Sequence, residues 1–558
     1  MRRITRSALA LALAATLSGC LDLNVVNENL PDRRRALSNP ADVENILGLS
    51  TWRRWYQPMH SLANVALPFP SVAGEMANSQ LAMGVHWAQD PPIAYQNDEL
   101  ASQVWMPRHG YDQWSQCVSN ANDALAQINE GMRITTGDDG GVGGTDNTDR
   151  AYSWGKMWQG ICIGYLANFL DRFPIATEDS VLPVRWEELA DWERRSMSEP
   201  NATRNMAIGI QAIKDAIIHM ETGAQWVLPD TWVPGQRYNN QQIIQLAHTM
   251  IARLLIYHAR TPAERAAVNW NDVLFHTERG LTYDWGPILQ DGTITDPSYL
   301  ARLTPINFQT TNPGTAQFRA SYMLIGPADQ SGGYQTWRAT QPRDNAARFT
   351  IVTPDRRITG PTPTSNGSYF RYTTNTTGYS SARGQQHWSF YHWWRRFNEQ
   401  GANHLTGHFA LATADENRLY RAEALLRTGQ LQQAATLINV TRTRPQTVGT
   451  TTFPVNLPPV TPAGVPEVNG QCVPRRANGQ CGDLMDALMY ERDIELVGIE
   501  PTRSWMDRRG FGQLRNGVWL ELPIPARYLV SLGVPTYSFG GVGGERSATC
   551  TAPLTCLP

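Results

Sequence analysis

The feature that most constrains this chain is a set of long segments in which apolar residues recur at helical spacing. Such spacing places the apolar side chains on one side of an α-helix and predicts helices that pack against one another. The segments are Asp112–Gly131, Ala151–Phe169, Thr203–Thr222, Asn240–Ala259, Asn417–Arg427, Leu431–Arg442 and Asp483–Leu496. Between them lie regions rich in Gly, Pro, Thr and Asn, at 132–149, 286–400, 443–482 and 521–558, with a short strand predicted around Ala347–Val352. The expected fold is therefore mainly α, with an irregular, loop-rich lobe.

The composition excludes several protein classes. Of 558 residues, 41% are apolar and 18% are charged, which excludes a polytopic membrane protein and a mostly disordered chain. The net charge is -2, so a nucleic-acid-binding role has no global electrostatic support. The chain also contains 19 Trp and 19 Tyr. Part of this aromatic surface can serve a ligand, and packing in the interior is the alternative explanation.

The N-terminal residues predict export and lipid attachment. The apolar run 8–17 is too short to span a bilayer and long enough for a secretory signal. It ends in L-S-G-C, which resembles a bacterial lipobox, so we expect residues 1–19 to be removed and Cys20 to be acylated. An ordinary signal peptide with an incidental cysteine is the alternative. After processing, residues 20–32 would form the lipid anchor and tether, and residues 33–558 a single body.

The other cysteines agree with export to an oxidising compartment. Two short spacings predict local disulfides, those of Cys472 with Cys481 and of Cys550 with Cys556. Cys117 and Cys162 fall on predicted helices, either as a third pair or as two buried thiols. No metal or cofactor is expected, because no C-x-x-C, H-E-x-x-H or EF-hand spacing occurs. Asp138, Asp139, Asp146 and Asp149 of a Gly-rich loop could hold calcium, but a solvated loop is the simpler interpretation.

Residues 417–442 have the spacing of a tetratricopeptide helix pair. Gly429 allows the turn, Ala422 precedes it, and Ala434 and Ile438 follow it. Small residues at these places let two helices approach closely. Stacked pairs of this kind would make a curved helical platform.

Motifs spread along the chain resemble those of one family, the SusD/RagB-like outer-membrane nutrient-binding lipoproteins. Beside the lipobox, they are R-L-x-x-A-E-A-x-x-R-x-G at Arg418–Gly429, I-N-x-x-R at Ile438–Arg442, E-R-x-x-E-L at Glu491–Leu496, R-S-W-M-D-R-R at Arg503–Arg509, P-I-P at Pro523–Pro525 and D-x-R at Asp355–Arg357. The resemblance extends from residue 17 to residue 525. Each motif is weak alone, and together they are specific.

The resemblance implies a fold of tetratricopeptide-like helix pairs, at about 110–285 and 414–510, with a ligand-binding lobe at about 286–400 and 443–482. It also implies a non-enzymatic lipoprotein on the outer membrane, facing the exterior. Such proteins bind oligosaccharides, or in some members peptides, and pass them to a TonB-dependent, SusC-like transporter. Neither the ligand nor the face that meets the transporter can be inferred from the sequence.

Loop aromatics flanked by polar side chains are the predicted ligand contacts, because a sugar has an apolar C–H face and a rim of hydroxyls. Three clusters qualify, namely Asn78, His86, Trp87 and Asp90, then Tyr334, Trp337 and Arg338, and the aromatic run at 387–394. In the family, aromatic ligand contacts come from places comparable to the first two. The third cluster precedes the 417–442 helix pair closely, and we expect it to pack inside the lobe.

Two other functions compete with ligand delivery. An exported glycoside hydrolase needs two carboxylates flanking a groove, and Asp90 with Glu99 or Glu75 with Asp90 could be proposed, although the spacing selects neither pair. A helical interaction scaffold without a small ligand predicts that alanine at Trp87 and Trp337 leaves binding unchanged.

The charged residues near the last predicted helix suit an ion-pair network better than an active site, because arginine pairs carboxylates bidentately. These residues are Arg492, Glu495, Glu500, Arg503, Asp507, Arg508 and Arg509.

Overall fold

The structure is a computed structural model. It describes residues 37–60, 68–78, 96–98, 105–135, 145–183, 185–289, 318–340, 347–374, 387–395, 398, 407–540, 545–552, 554 and 556. The fold is mainly α, as predicted. None of the helices in these ranges is both long enough and apolar enough to cross a membrane.

The helices, numbered along the chain, include all of the predicted segments. They are α1 (Pro40–Asn45), α2 (Thr51–His60), α3 (Pro68–Ala73), α4 (Trp105–Asn129), α5 (Thr148–Phe169), α6 (Trp186–Ser196), α7 (Ala202–Thr222), α8 (Asn240–Tyr257), α9 (Pro262–Ala266), α10 (Trp270–Glu278), α11 (Tyr322–Ile325), α12 (Gly333–Ala339), α13 (Ala414–Arg427), α14 (Leu431–Arg442), α15 (Leu484–Glu495), α16 (Arg503–Phe511) and α17 (Ala526–Ser531). A π-helical stretch, Ile46–Ser50, joins α1 to α2.

Side chains that cap the backbone decide where several helices begin. Thr413 accepts a hydrogen bond from the Glu416 amide, so α13 begins at Ala414, three residues before the predicted start. Asp483 caps α15 in the same way, since its side chain accepts from the Asp486 amide and its own amide donates to the Asp486 side chain. These caps satisfy backbone N–H groups that the first turn of a helix leaves unpaired.

Short antiparallel strand pairs lie between the helices. The strands are β1 (Met76–Asn78) with β3 (Phe318–Ala320), β2 (Ile288–Leu289) with β6 (Gly407–His408), β4 (Phe370–Tyr372) with β5 (Tyr391–Trp393), and β7 (Gln446–Val448) with β8 (Thr451–Phe453).

The strand predicted around Ala347–Val352 is wrong, since this segment is irregular. Its amides donate to side chains instead of to a neighbouring strand. Ile351 donates to the Tyr391 hydroxyl at 2.9 Å, and Val352 donates to Asp329 Oδ1 at 3.0 Å. Side chains from distant segments therefore accept from backbone N–H groups that would pair with a neighbouring strand in a β-sheet.

Glycines bring α5 and α7 into close contact at the centre of the scaffold. A Cβ added at Gly160 would lie 2.3 Å from the carbonyl oxygen of Gly209, and one added at Gly209 would lie 2.7 Å from that of Gly160. No side chain fits between backbones at this distance. The main hydrophobic core lies around this crossing, and it includes Trp154, Trp158 and Ile213.

The predicted helix pair is confirmed as α13 and α14, which turn at Gly429 with φ of 81°. Ala422, Ala434 and Ile438 are buried in a second hydrophobic cluster. Leu488 of α15 belongs to the same cluster, so a third helix closes the pair.

Candidate functional site

The first predicted ligand cluster is largely outside the described residues. The structure does not describe His86, Trp87 and Asp90 of this cluster, nor the predicted lipidation site Cys20. Asn78 is the last residue of β1 and pairs with Phe318 of β3. The ligand and lipid roles of these residues stay predictions.

The second predicted cluster is buried. Tyr334 is 0% exposed, Trp337 2% and Arg338 7%, all on α12. The rings of Tyr334 and Trp337 stack with centroids 5.9 Å apart. Arg338 donates to the carbonyl oxygens of Leu554, at 3.2 Å, and Cys556, which holds the C-terminal segment against this helix. A ligand role for this cluster stays a prediction, and it requires the C-terminal segment to move away.

The third aromatic run packs inside the molecule, as expected. Trp388, Tyr391 and His392 are each 0% exposed. The Tyr391 hydroxyl accepts a hydrogen bond from the Ile351 amide at 2.9 Å and donates one to the carbonyl oxygen of Pro363 at 3.0 Å.

A buried ion-pair network joins the C-terminal helices to the scaffold, as the sequence predicted for Arg492, Glu495, Arg503, Asp507 and Arg508. The other two predicted members differ, since Glu500 accepts from Thr502 and Arg509 donates to the carbonyl oxygens of Leu520, Asn168 and Tyr257. Arg492 of α15 contacts Glu423 at 2.5 Å and Asp507 at 2.6 Å. Arg265 of α9 contacts the same two carboxylates at 2.7 and 3.0 Å. Burial alone would raise the pKa of Glu423, but Arg265 and Arg492 outweigh it and hold that pKa below its ordinary value. The motif residues Glu423, Arg492 and Asp507 are therefore structural.

One carboxylate proposed for a hydrolase belongs to the same interior. Glu75 is 2% exposed and contacts Arg503 at 3.2 Å. Burial raises its pKa, against the opposing effect of Arg503. It does not flank a groove in the described residues, whereas Asp90 and Glu99 lie outside them.

The structure joins the six cysteines beyond Cys20 in disulfides. The pairs are Cys117–Cys162, Cys472–Cys481 and Cys550–Cys556. The first pair, which the sequence left open, links α4 to α5 inside the core, where both residues are 0% exposed.

A buried histidine pair predicts loss of stability in acid. His248 Nδ1 lies 2.8 Å from His276 Nδ1, and burial, aided by His276, lowers the pKa of His248 to about 3. The pKa of a histidine in the unfolded chain is about 6.5, so as the pH falls the unfolded state binds a proton at His248 before the folded state does. The stability is therefore complete above about pH 6.5 and declines below it, by about 2 kcal/mol at pH 5 for this residue.

Denaturant midpoints at pH 7.5 and pH 5.0 measure this loss. We expect the decline to be smaller in His248→Gln than in the parent and unchanged in His219→Gln, a residue near the surface. Equal declines in the parent and in His248→Gln would contradict the assignment.

A groove of about 700 Å³ lies between α4, α6, α17 and the segment 174–182, and we refer to it as the scaffold groove. Its aromatic walls are Tyr111, Trp192 and Tyr528. Polar residues of α4 line it at helical spacing, namely Asp112, Ser115, Gln116, Ser119, Asn122 and Asp123. They share one face of α4 because residues three and four apart lie side by side on a helix. The other face, with Trp114 and Leu125, is buried in the core.

Hydrogen bonds fix the wall of the scaffold groove. Asn122 Nδ2 donates to the carbonyl oxygen of Ala176 at 2.9 Å, and its Oδ1 accepts from Gln159 Nε2 at 2.6 Å. Gln159 also donates to Glu178 at 2.6 Å. On the other side, the rings of Tyr111 and Tyr528 have centroids 5.1 Å apart. These contacts hold the walls of the scaffold groove in place.

The scaffold groove is acidic. Asp112, Asp123, Glu178 and Glu193 line it, and no lysine or arginine is among its described lining residues. Burial raises the pKa of Glu193. Burial would also raise the pKa of Glu178, but hydrogen bonds from Gln159 and Lys156 outweigh it and lower that pKa. Such a surface repels anions and offers acceptors to ligands rich in hydroxyl groups.

Sequence reasoning did not identify the scaffold groove. Helix α6, which carries Trp192, was not predicted, and the polar face of α4 has the pattern of an ordinary solvated surface. Tyr528 comes from a helix almost 340 positions beyond Trp192, so no local pattern connects them.

Metal binding finds no support in the described residues, which hold no group of three or more His, Cys, Asp or Glu side chains suited to a metal ion. In the loop that could hold calcium, residues 136–144 lie outside them. Asp146 instead accepts from the Thr148 amide at 3.0 Å and pairs with Arg133. Asp149 accepts from the Ala224 amide at 3.1 Å.

No protein-family profile matches the chain, and no curated protein is similar to it. Several solved structures are similar to it. A SusD superfamily protein from Parabacteroides distasonis is 10% identical, with 89% of this chain and 96% of that chain covered and a TM-score of 0.49. One from Bacteroides fragilis is 12% identical, with 88% and 98% covered and a TM-score of 0.47. A SusD-like carbohydrate binding protein from Bacteroides vulgatus is 13% identical, with 83% and 82% covered and a TM-score of 0.46.

These structures belong to the family whose motifs the sequence resembles.

Proposed function

We propose that this protein is an exported, lipid-anchored, SusD-like binding protein that captures oligosaccharides and delivers them to a TonB-dependent, SusC-like transporter of the outer membrane. The observation that carries the binding role is the scaffold groove, with its aromatic walls and its row of polar side chains on α4. The lipobox supports the anchor at Cys20, and the family motifs support the transporter partner.

The scaffold groove has the size and chemistry that an oligosaccharide requires. Its volume of about 700 Å³ lies within the range of about 300–1,000 Å³ that is usual for small-molecule sites. Trp192 and Tyr528 offer ring surface to the C–H faces of sugars. Ser115, Gln116 and Ser119 offer hydrogen-bond partners to the hydroxyl rim. The carboxylates favour neutral glycans over acidic ones.

The hydrolase alternative has less support than binding, because the family motifs are those of binding proteins. A glycosidase needs one carboxyl to give a proton and a second to act as base or nucleophile. Glu75, which was weighed for this role, is buried against Arg503 and does not line the scaffold groove. The helical-scaffold alternative, without a small ligand, predicts that the groove binds no glycan.

Replacing Trp192 by alanine tests the proposal. We expect the parent chain, from residue 21 onward, to bind at least one neutral oligosaccharide saturably in calorimetric titrations without releasing products. Trp192→Ala should weaken this binding at least about tenfold, which corresponds to about 1.4 kcal/mol. Trp186→Ala is the matched control, because this tryptophan lies on the same helix, is 57% exposed and does not line the groove.

Three results would contradict the proposal. Equal affinities in both variants would move the site out of the groove. Release of shorter sugars would indicate an enzyme, and the absence of binding across polysaccharides and peptides would favour the scaffold alternative. Trp87→Ala, measured in parallel, tests the contact predicted from the sequence. Copurification of the acylated protein with its transporter, lost in Cys20→Ser, tests the anchor and the partner.

A further inference from the structure

One carboxylate of the scaffold groove, that of Glu193, forms no ion pair within the part of the chain that the structure describes. Two other carboxylates of the groove do have basic partners. Asp112 lies 3.5 Å from Arg108, and Glu178 pairs with Lys156. The chain neighbour of Glu193, Arg194, contacts Asp191 at 3.5 Å instead. The charge of Glu193 is therefore not compensated by the protein residues around it.

Burial makes this uncompensated charge unfavourable. Burial raises the pKa of Glu193, and a hydrogen bond from the Tyr528 hydroxyl only partly offsets the effect. Burial also raises the pKa of Tyr111 and that of Tyr528, and the negative charge of Glu193 raises both further. A cation beside Glu193 would stabilise the ionised carboxylate. The groove thus favours a ligand that brings a positive charge of its own.

Aromatic rings surround this carboxylate. Glu193 follows Trp192 on α6, and both residues line the scaffold groove, as do Tyr111 and Tyr528. Arginine side chains lie over many aromatic rings elsewhere in this chain. None of the lysines or arginines in the described ranges lies over the three rings of the groove. Since aromatic faces attract cations, the rings and the carboxylate together suit an organic ammonium group.

The polar row on α4 indicates what kind of molecule carries the ammonium group. Ser115, Gln116 and Ser119 offer hydrogen-bond partners along the groove. A lysine-rich peptide would bring the positive charge but no series of hydroxyl groups for this row. An amino sugar has both, because each ring carries hydroxyl groups beside its amino group. The chemistry of the groove therefore favours an amino sugar over a cationic peptide.

We propose that the scaffold groove selects glycans with free amino groups, such as oligomers of glucosamine, over neutral glycans of the same length. The ammonium group of one sugar unit donates to the Glu193 carboxylate and lies against the Trp192 ring. The hydroxyl groups of the neighbouring units bond to the polar row on α4. This inference rests on the proposed function and deepens it, because it names the class of glycan that the same groove prefers.

Calorimetric titration with matched tetramers tests the preference. The ligands are β-1,4-linked tetramers of glucosamine, N-acetylglucosamine and glucose, which differ in the group at carbon 2. We expect the parent to bind the glucosamine tetramer at least about fivefold more tightly than either neutral tetramer. The preference should decrease when sodium chloride is raised from about 50 mM to about 500 mM, because salt screens charges that water can reach.

Glu193→Gln tests the assigned carboxylate, since glutamine keeps the shape of the side chain and removes its charge. We expect the ratio of the glucosamine affinity to the N-acetylglucosamine affinity to fall to about one. Glu187→Gln is the matched control. It removes one negative charge from the same helix, but Glu187 is exposed and does not line the groove, so the ratio should equal that of the parent. Trp192→Ala should weaken the binding of all the tetramers.

Several results would overturn the inference. Equal or weaker binding of the glucosamine tetramer by the parent would do so, and so would a preference that Glu193→Gln retains. Tighter binding of tetralysine than of the glucosamine tetramer would assign the groove to a cationic peptide. In the first two cases, neutral tetramers that bind the parent and not Trp192→Ala would leave the proposed function intact. If the parent binds no tetramer, the inference fails, and the proposed function fails with it only if the panel of polysaccharides shows no binding either.

Discussion

Glu423→Gln is expected to lower the free energy of unfolding by about 3–5 kcal/mol. Glu423 is 0% exposed and contacts both Arg265 and Arg492, at 2.7 and 2.5 Å. Glutamine has nearly the same shape, but it leaves two buried guanidinium groups with Asp507 as their shared carboxylate. The cost arises from uncompensated charge in a poorly solvated interior. Urea denaturation monitored by circular dichroism measures it.

Glu278→Gln is the control for this prediction. Glu278 contacts Arg421 at 3.0 Å, but both side chains are more than a third exposed. Surface pairs of this kind contribute about 0–1 kcal/mol, since water screens them. Similar losses in the two variants would show that the network around Glu423 is no stronger than a surface pair.

Removal of the Cys117–Cys162 disulfide is the second large effect. The two cysteines are 45 positions apart, and closing a loop of that length in the unfolded chain corresponds to about 4 kcal/mol of stability. We therefore expect the double variant Cys117→Ala, Cys162→Ala to unfold at a clearly lower urea concentration than the parent. Alanine is used and not serine because both positions are fully buried, and a serine hydroxyl there would be left unpaired.

The pair Cys472–Cys481 provides the comparison. Its cysteines are only nine positions apart, so alanine at both should cost less, about 2–3 kcal/mol in the same treatment. A larger loss at Cys472–Cys481 than at Cys117–Cys162 would contradict the argument from loop length.

Helices were the most predictable part of the fold because their signal is local. The apolar spacing in Leu431–Arg442 gave both of its bounds, and α13 began only three residues before the predicted start because Thr413 caps it. The turn at Gly429 was also legible, since a positive φ suits glycine. The Ala347–Val352 strand was wrong because its amides bond to Tyr391 and Asp329, which no local pattern shows.

The ligand clusters were less predictable, because exposure is not a local property. The loop aromatics Tyr334 and Trp337 have the composition of a sugar contact, yet Leu554 and Cys556 hold the C-terminal segment against their helix. The reverse holds for Trp192. It lies on a short helix without a recognised signal, and it becomes a groove wall only because α4 and α17 pack nearby.

The sequence by itself determined the helical segments, the helix pair at 417–442 and most of the charged residues that pair in the interior. Only the tertiary structure decided which charges meet, such as Glu75 with Arg503 more than 400 positions away, and which aromatic rings are covered. The physical reason is that helical periodicity and capping act over a few residues. Burial and cavity shape depend instead on contacts between segments far apart in the chain, which the order of residues does not display.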